Sequence, residues 1–411
     1  MGFDVETGLD PNDTFPISQP IWEDLDFEFP IVGYYNKTIE FWLDFARKKN
    51  YQSSHWVKYI GKPNLGHGKL FKNNLAAAIK HPIIALKALT QSNFNFFNFL
   101  YIFLNLTKIV SLANYDFVIG FGLGPLLANL AGVKYASIPY GADLLLVPFE
   151  SNHSKWGHRA RARLQVAGYK NSDIIFIGDD PAFLDALNRI RALQDWRYWA
   201  FPIDIEKYYP TPKESLNNFL ENSIAKKTAG KIIMFMPSRI DFNVKGNDKV
   251  LRAFAKLLNE KDNVFLILFA WGGDVQKAQE LVSKLNIEEN VYFYPNIMSK
   301  PRLIRFINAC DIILDQFFLG GYGTTTLETM SCGKPLITYL NLDKLKKFHD
   351  KLPPIKNTFT ELEIYQAMLF LCNKEQREKL GKNARNWIIE NHSFKSFSNF
   401  SEIIKKVATK N

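Results

Sequence analysis

Two basic side chains follow an apolar strand segment in the second half of the chain. The segment 236–248 places Arg239 and Lys245 in a loop that leads into a helix near Asn247. Two permanent cations at the carboxyl edge of a parallel sheet suit a diphosphate, because they neutralise the charge that grows on a departing phosphate group. Taken alone, however, the two side chains are better explained as ordinary solvated charges in a loop.

A glycine-rich turn follows a later strand segment. Within residues 315–335, Gly320, Gly321 and Gly323 are followed by three threonines and the start of a helix. Glycines let the backbone approach a ligand, and the free N–H groups at a helix start bind phosphate oxygens. Glu328 lies in the first or second turn of that helix, where its carboxylate can accept hydrogen bonds from ribose hydroxyls. Two anion-binding devices on one sheet edge together predict a site for a nucleotide diphosphate.

The second half of the chain alternates between strand and helix patterns. Apolar segments typical of buried parallel strands lie at 232–236, 264–269, 291–294, 312–314 and 335–339. Helical patterns lie between them at 247–258, 275–285, 301–309 and 325–331. The alternation predicts an α/β fold with a doubly wound sheet, in which ligands bind where loops leave the carboxyl ends of the strands.

The first half predicts a second, less regular sheet. Strand patterns lie at 116–121, 134–138 and 173–177, with weaker ones at 29–35 and 54–60. The turn that contains Gly122 and Gly124 follows one of these strands and opens a helix with Pro125 near its first turn. It lacks the spacing and the acidic partner of a dinucleotide fingerprint. We therefore interpret it as a tight turn that faces a ligand-binding cleft and contacts a phosphate or a second substrate.

Length and composition favour two globular domains. The chain has 411 residues, of which 47% are hydrophobic and 22% charged. We expect an acidic, proline-containing arm at 1–30 that does not resemble a secretory signal. It is followed by a Rossmann-like domain at 31–210, a linker at 211–230, a nucleotide-binding domain at 231–392 and a final helical segment at 393–411.

The cysteine pattern favours a reducing compartment. Cys310, Cys332 and Cys372 are too few for a disulfide framework and lack zinc-ligand spacing, so we expect a cytoplasmic protein. The acidic pair Asp179 and Asp180 precedes Pro181 and a helix pattern. Capping of that helix explains the pair better than metal binding does.

Positive charge is concentrated in the first half of the chain. Residues 37–170 contain 17 Lys or Arg against 5 Asp or Glu. A nucleic acid, an anionic membrane or a phosphate-bearing substrate would each suit that surface. We expect no nucleic-acid partner, because no recognisable nucleic-acid module accompanies the charge.

Two features of this basic half bear on a membrane. The apolar stretch 92–112 is interrupted by asparagines and Lys108, which argues against a bilayer span and leaves a buried helix or an interfacial contact. A basic cluster follows on a predicted helix and is explained either as solvated charge or as a site for a lipid pyrophosphate or an anionic leaflet. Its members are Lys155, Arg159, Arg161 and Arg163.

The motifs together resemble those of a known family. Arg239, Lys245-Gly246 and the stretch 321–335 are similar to the retaining GT-B glycosyltransferases of the family 4 type, also described as glycosyl transferases group 1. The resemblance extends from about residue 116 to the C-terminus. It implies two facing Rossmann-like domains with an interdomain cleft, and transfer of sugar from a UDP- or GDP-sugar to a glycan or lipid-linked acceptor. No metal or further cofactor is implied.

The resemblance also implies roles for individual residues. Arg239 and Lys245 would hold the donor pyrophosphate, and Glu328 would hold the ribose. Asn296 and Ile297 would contact the base, mostly through the backbone. The amides that would face phosphate and sugar belong to Gly321, Tyr322, Gly323, Thr324 and Thr325. The segment 393–411 would cross back to the N-terminal domain.

The sequence departs from the family pattern at two positions. The family's first glutamate, eight residues before Glu328, is Gly320 here, so that Asp315, Gln316 or the amides of the turn would have to contact the sugar. Tyr140 replaces a family histidine, three residues before Asp143, which either orients the acceptor or sugar or caps the next segment. A nucleotide-sugar epimerase and a non-catalytic GT-B subunit therefore remain alternatives.

Overall fold

The computed structural model describes two compact units of the chain. It covers residues 31–32, 67–393, 403 and 406–407, with gaps at 94, 114, 116, 140, 179, 181, 193–194 and 296–297. Among the described residues, the first unit comprises 31–199 together with 403 and 406–407, and the second unit comprises 200–393. The arm 1–30, the strand pattern 54–60 and most of the segment 393–411 lie outside the described residues.

The first unit is built on a parallel sheet. Its described strands lie side by side in chain order. They are β1 (Ile31–Val32), β2 (Phe117–Phe121), β3 (Lys134–Ile138), β4 (Ile174–Ile177) and β5 (Trp196–Tyr198). The structure confirms the strands predicted at 116–121, 134–138 and 173–177 and has a short strand within 29–35. Strand β5 was not predicted, because its three residues are only partly buried and form no apolar run.

Helices surround this sheet. They are α1 (His67–Lys80), α2 (Pro82–Thr90), α3 (Phe96–Leu104), α4 (Leu106–Leu112), α5 (Gly124–Ala131), α6 (Ala142–Leu145), α7 (Trp156–Lys170) and α8 (Ala182–Ile190). The apolar stretch 92–112 forms two helices that meet at Asn105. Helix α4 is buried, whereas α3 exposes Phe96, Phe97 and Phe99. Within the described part of the chain, no helix is both long enough and apolar enough to span a bilayer.

The second unit has a doubly wound sheet. Its strands are β6 (Ile232–Met236), β7 (Val264–Phe269), β8 (Val291–Tyr294), β9 (Ile312–Leu314), β10 (Leu336–Thr338) and β11 (Lys356–Asn357). They are parallel and lie in the order β11-β10-β9-β6-β7-β8. The first strand of this unit therefore lies between β7 and β9, which makes the β6–β9 pair the topological switch point. The loops that follow β6 and β9 leave the same edge of the sheet.

Apolar residues on both faces explain why the central strands of this sheet are buried. Ile233 and Phe235 pack in one hydrophobic cluster, and the alternating Met234 and Met236 pack in the other. Since side chains alternate across a strand, a continuous apolar run requires cover on both faces. That cover comes from α9 (Asn222–Thr228), α10 (Asn247–Leu258), α11 (Val275–Lys284), α12 (Lys300–Ala309), α13 (Thr324–Ser331), α14 (Leu342–Leu345), α15 (Glu361–Leu371) and α16 (Lys374–Asn391).

The segment 211–230 packs into the second unit. Leu216, Phe219, Leu220 and Ala225 are buried in the hydrophobic cluster that contains Phe235. The division between the two units accordingly lies at Trp199 and Ala200, ahead of the predicted linker. The sequence did not predict this packing, because the four buried apolar residues lie at irregular spacing in a segment of polar composition.

Candidate active site

The loop after β6 is held in one conformation by Asp241. Its Oδ1 accepts a hydrogen bond from the Val244 amide at 3.0 Å, and its carbonyl accepts one from the Lys245 amide at 2.7 Å. The Asp241 amide in turn donates to Oδ1 of Asn247, at the start of α10, at 2.9 Å. Sequence reasoning did not single out Asp241 or Asn247. Together they fix the backbone that carries both predicted cations.

Arg239 lies at the outer end of this loop. Its Nε and Nη2 donate to Oδ2 of Asp241 at 3.3 and 3.2 Å, and its side chain is 46% exposed. An ion pair with this exposure contributes little to stability. The guanidinium group is therefore oriented by Asp241 and remains accessible to an anionic ligand.

The loop after β6 is joined to the loop after β9. The Phe317 amide donates to the carbonyl of Lys245 at 3.1 Å, and Ser238 Oγ donates to the carbonyl of Asp315 at 3.2 Å. Nζ of Lys245 lies 3.8 Å from Oδ1 of Asp315. The two segments predicted to bind an anion therefore lie next to each other at the switch point of the sheet.

Asp315 is the buried partner of Lys245. Its side chain is 2% exposed, and its Oδ2 accepts a hydrogen bond from Oγ1 of Thr326 at 2.8 Å. The carboxylate thus links a cation on the loop after β6 to the first turn of α13. Oδ1 of Asp315 is buried without a hydrogen-bond partner among the described residues.

Gln316 organises the glycine turn. Its Nε2 donates to the carbonyls of Gly321 and Tyr339 at 2.7 and 2.8 Å, and its Oε1 accepts from the amides of Phe318 and Leu319 at 3.2 and 2.7 Å. The amide group is fully used, since it has two donor hydrogens and two acceptor lone pairs. Gln316 therefore shapes the turn and has no group left for a sugar.

Gly320 adopts a backbone conformation that other residues avoid. Its φ is +73°, and a Cβ added there would lie 3.1 Å from Cβ of Asn341 and 3.3 Å from a ring carbon of Tyr339. Its carbonyl accepts a hydrogen bond from the Asn341 amide at 2.7 Å. A glutamate at this position would be strained in the left-handed region. The backbone of the turn therefore favours glycine at this position.

The side chain of Tyr322 points into the protein. Its hydroxyl lies 2.9 Å from Nε2 of His349 and 3.3 Å from Nε2 of His392, both buried, and its ring meets Trp387 edge to face. Nδ1 of His392 lies 2.9 Å from the carbonyl of Phe201. Tyr322 therefore anchors the turn to the interior, so that only its backbone can serve a ligand.

Helix α13 begins directly after the turn, with open amides. Gly323 is its N-cap, with φ −102° and no side-chain hydrogen bond to the helix. The first four N–H groups of a helix have no partner within it, and they carry partial positive charge. Gly323 is exposed, while Thr324 and Thr325 are partly exposed. The arrangement suits a phosphate group.

Glu328 is buried and paired. Its Oε1 accepts hydrogen bonds from Nζ of Lys300 and, at 3.2 Å, from the hydroxyl of Tyr208. Burial and then the nearby Glu328 carboxylate raise the pKa of Tyr208 well above its ordinary value, so that the phenol stays a donor. Oε2 of Glu328 is buried without a hydrogen-bond partner among the described residues. Sequence reasoning missed Lys300 and Tyr208, which no local pattern connects to Glu328.

The remaining predicted site residues lie either outside the described residues or in the first unit. Asn296 and Ile297 lie outside the described residues. Gly122 and Gly124 belong to the first unit, in the turn between β2 and α5, where the carbonyl of Gly122 accepts a hydrogen bond from Nε2 of Gln165 at 2.7 Å. Gly124 is buried, while Gly122 is partly exposed.

Asp143 also belongs to the first unit, where it has a structural role. Its Oδ1 accepts a hydrogen bond from the Gly141 amide at 2.8 Å, and its Oδ2 accepts one from the Tyr169 hydroxyl at 2.8 Å. Gly141 has a φ of +147° and begins α6. The carboxylate thus holds the segment after β3 in place, as capping predicts; a role with substrate stays a prediction.

Two Rossmann-like units, each with a parallel sheet, define the class of structure to which this chain belongs, the GT-B fold. Solved structures that share it include Anabaena Alr3699/HepE in complex with UDP and glucose, with 12% identity over 93% of this chain and 100% of that one and a TM-score of 0.62. A glycosyltransferase from Rickettsia africae has 13% identity over 93% and 99%, with a TM-score of 0.56. WaaG, a glycosyltransferase involved in lipopolysaccharide biosynthesis, has 15% identity over 93% and 100%, with a TM-score of 0.53.

A family match covers the second unit more specifically. Residues 219–343 match the family model of glycosyl transferases group 1. The match includes the loops after β6 and β9 and helix α13. Among curated protein sequences, none matches this chain.

Proposed function

We propose that this protein is a glycosyltransferase that binds a nucleotide diphospho-sugar on its second unit. The observation that carries the proposal is that the loop after β6 is hydrogen-bonded to the loop after β9, which contains the glycine turn, at the switch point of the sheet. There the accessible Arg239 and the partly exposed Lys245 share one sheet edge with the open amides of α13. Guanidinium, ammonium and amide groups together complement the two negative phosphates of a UDP- or GDP-sugar.

In this proposal the cations stabilise the leaving nucleotide diphosphate. Negative charge grows on the phosphate as the bond to the sugar breaks, and preorganised donors stabilise that charge without reorganising. Glu328 binds the ribose, because a ligand hydroxyl would satisfy the unpartnered Oε2. Asn296 and Ile297 bind the base, as the family resemblance implies. No metal or further cofactor is required by these roles.

We propose that the acceptor is a glycan or a lipid-linked glycan of the cell surface and that transfer retains the anomeric configuration. The match to glycosyl transferases group 1 and the motif resemblance support this assignment. Gly122, Gly124 and Asp143 are the first-unit candidates for contact with the acceptor or donor. The free thiols of Cys310, Cys332 and Cys372 suit a cytoplasmic enzyme.

The test is a transfer assay with a panel of UDP- and GDP-sugars and an extract of native lipids, with products identified by mass spectrometry and their anomeric configuration by NMR. We expect Arg239→Ala or Lys245→Ala to lower the rate roughly 100- to 1000-fold. The control Arg305→Ala/Lys382→Ala removes equal charge from helices α12 and α16 and should retain activity. Transfer that survives the double change Arg239→Ala/Lys245→Ala would contradict the proposal.

A non-catalytic GT-B partner subunit is the second candidate. The observation in its favour is Gly320, whose left-handed backbone occupies the place of the family's sugar-contacting glutamate. A thermal-shift screen with nucleotide diphosphates tests whether the protein binds a nucleotide, which a glycosyltransferase must do. A ligand at about 100 times its dissociation constant stabilises by about 2.7 kcal/mol. No shift with any nucleotide would favour a partner subunit, and conversion of the nucleotide-sugar without an acceptor would indicate an epimerase.

We further propose a peripheral contact between the first unit and an anionic membrane. Ile79, Ile83 and Leu86 are 71%, 82% and 66% exposed, and they follow one another at helical spacing across α1 and α2. Lys80 and Lys87 are exposed beside them. Exposed apolar residues flanked by lysines are typical of surfaces that bind a lipid headgroup region. Sedimentation with anionic vesicles tests this contact.

A further inference from the structure

The basic cluster of helix α7 separates into two functional parts. Arg161 pairs with Glu150, which also lies 3.0 Å from Nδ1 of His158. Arg159 and Arg163, one helical turn apart, have no acidic partner within 4.0 Å among the residues that the structure describes. Two adjacent guanidinium groups repel each other unless an anion lies between them. These two arginines are therefore the part of the cluster that is open to an anionic ligand.

Both of these arginines line one cavity of about 470 Å³. Its described lining has no acidic residue and combines the two guanidinium groups with amide and aromatic side chains. The residues that matter here are Asn95, Phe97, Asn152, Trp156, Arg159 and Arg163, which we call the Phe97 cavity. Planar guanidinium forks match the oxygens of a phosphate, and side-chain amides can complete its hydrogen bonding.

An exposed aromatic face continues from the cavity wall. Phe97 stacks on Trp156 with ring centroids 5.7 Å apart and an interplanar angle of 24°. Phe96 meets Phe97 edge to face, and Phe96 and Phe99 are 69% and 42% exposed. Helix α3, which carries these rings, contains no charged residue. A charge-free aromatic helix beside two arginines fits an amphiphile whose phosphate lies next to its apolar chains.

We propose that the Phe97 cavity binds the phosphate headgroup of an anionic membrane lipid, with Phe96 and Phe99 inserted among the neighbouring acyl chains. This inference rests on the proposed membrane contact and gives it a defined headgroup site. A single-stranded nucleic acid also stacks on aromatic rings and pairs with arginine. The absence of any lysine or arginine from α3 favours the lipid, because nucleic-acid grooves follow the backbone with cations.

The test measures partition of the full-length protein onto vesicles of phosphatidylcholine alone and of phosphatidylcholine in which a third of the lipid is phosphatidic acid. We expect the wild type to bind the anionic vesicles. Arg159→Gln/Arg163→Gln should lower this partition roughly tenfold or more, since each basic residue near the surface contributes measurably. The control Lys379→Gln/Lys382→Gln removes two exposed charges from α16 and should change partition less than about twofold.

Competition and binding experiments distinguish a lipid headgroup from a soluble phosphate and from a nucleic acid. Glycerol 3-phosphate and inorganic phosphate should not compete with the vesicles; competition by either would assign the cavity to a soluble phosphate and overturn the lipid site. Tighter binding of a single-stranded oligonucleotide than of anionic vesicles would overturn it as well.

The last measurement tests the exposed aromatic residues of α3. Phe96→Ser/Phe99→Ser should weaken partition onto both kinds of vesicle. If that variant loses partition while Arg159→Gln/Arg163→Gln behaves like the wild type, the membrane contact stands and the headgroup site is overturned. If the wild type binds neither vesicle, both are overturned. A thermal shift with UDP, retained in every variant, shows that each is folded and keeps the proposed donor site separate from these outcomes.

Discussion

Nζ of Lys300, at the start of α12, donates a hydrogen bond to Oε1 of Glu328 on α13. The two side chains are 13% and 6% exposed, so that the ion pair is almost fully removed from water. Tyr208, from the segment that enters the second unit, donates to the same oxygen. The carboxylate proposed to bind ribose is thus held by two groups that are remote from it in the sequence.

We expect Lys300→Met to destabilise the second unit by roughly 3–5 kcal/mol, because it leaves the Glu328 carboxylate buried without its cation. The double variant Lys300→Met/Glu328→Gln removes both charges. Its loss of stability should be clearly smaller than the sum of the losses in the two single variants. Urea unfolding of the wild type, both single variants and the double variant measures this coupling. Additive effects would show that the pair does not interact in solution.

The backbone of Gly320 predicts the effect of restoring the family glutamate. Gly320→Glu should cost roughly 1–2 kcal/mol for the left-handed conformation, in addition to contact with Asn341 and Tyr339, and should not raise the transfer rate. The control Gly273→Ala, in an exposed loop, should change stability by less than about 0.5 kcal/mol, because its φ lies outside the left-handed region and its added Cβ meets nothing within 4 Å. A Gly320→Glu variant that is as stable as the wild type and more active would contradict this view of the turn.

Gln316 gives a third prediction, on the glycine turn itself. Gln316→Leu leaves the Phe318 and Leu319 amides and the Gly321 and Tyr339 carbonyls without their partner. Each unsatisfied group that stays buried costs roughly 1–3 kcal/mol.

We therefore expect Gln316→Leu to be less stable in urea and to bind UDP at least tenfold more weakly in calorimetry. Gln316→Glu keeps the acceptor for the two amides but sets a buried carboxylate oxygen against the Gly321 and Tyr339 carbonyls, and should lose at least as much stability. The control Gln276→Leu, on the exposed face of α11, should leave both measurements unchanged. Normal UDP affinity in Gln316→Leu would separate the turn from nucleotide binding.

Cys332 predicts a dependence of stability on alkaline pH. Burial, and then the nearby Glu328 carboxylate, raise the pKa of its thiol from 9.0 to about 12. The folded protein therefore keeps this thiol protonated while the unfolded chain ionises it. Its contribution to stability is complete below pH 9.0 and is lost as the pH rises toward about 12, by up to about 1.4 kcal/mol per pH unit.

Urea unfolding between pH 8 and pH 10.5 measures this loss. Cys332→Ala should reduce the slope of unfolding free energy against pH above 9.0. The native protein should also react slowly with thiol reagents at Cys310 and Cys332, which are buried, and faster at the partly exposed Cys372. An unchanged slope in Cys332→Ala would assign the alkaline sensitivity to other groups, such as Tyr208 or Tyr169, whose pKa values burial also raises.

The strands that surround the site could be predicted because their residues are apolar on both faces. The run from Ile232 to Met236 needs cover on both sides of the sheet and hence signals a parallel strand. The edge strands β5 and β11 were missed, because two or three partly exposed residues leave no periodicity. The pairing of the loops after β6 and β9 followed from strand order, which is a general property of doubly wound sheets.

The contacts that hold the site could not be predicted from local pattern. Tyr208 and Glu328 are 120 residues apart, and Lys300 and Glu328 are 28 apart, so that only tertiary structure brings them together. The roles of Asp315 and Gln316 were also hidden. Polar residues after a strand suit a ligand as well as a loop, and the hydrogen bonds that decide between them lie within the folded turn.

The position of the division between the units has a consequence for engineering. Every contact described for the nucleotide site, including those of Tyr208, Lys245, Asp315 and Glu328, lies on the C-terminal side of Trp199. Arg385 donates hydrogen bonds to the carbonyls of Ile205, Tyr208 and Ser331. These bonds hold the segment that enters the second unit in place within that unit. Under the proposed function, the second unit would carry these donor contacts on its own and could be joined to a different acceptor-binding domain to change what receives the sugar.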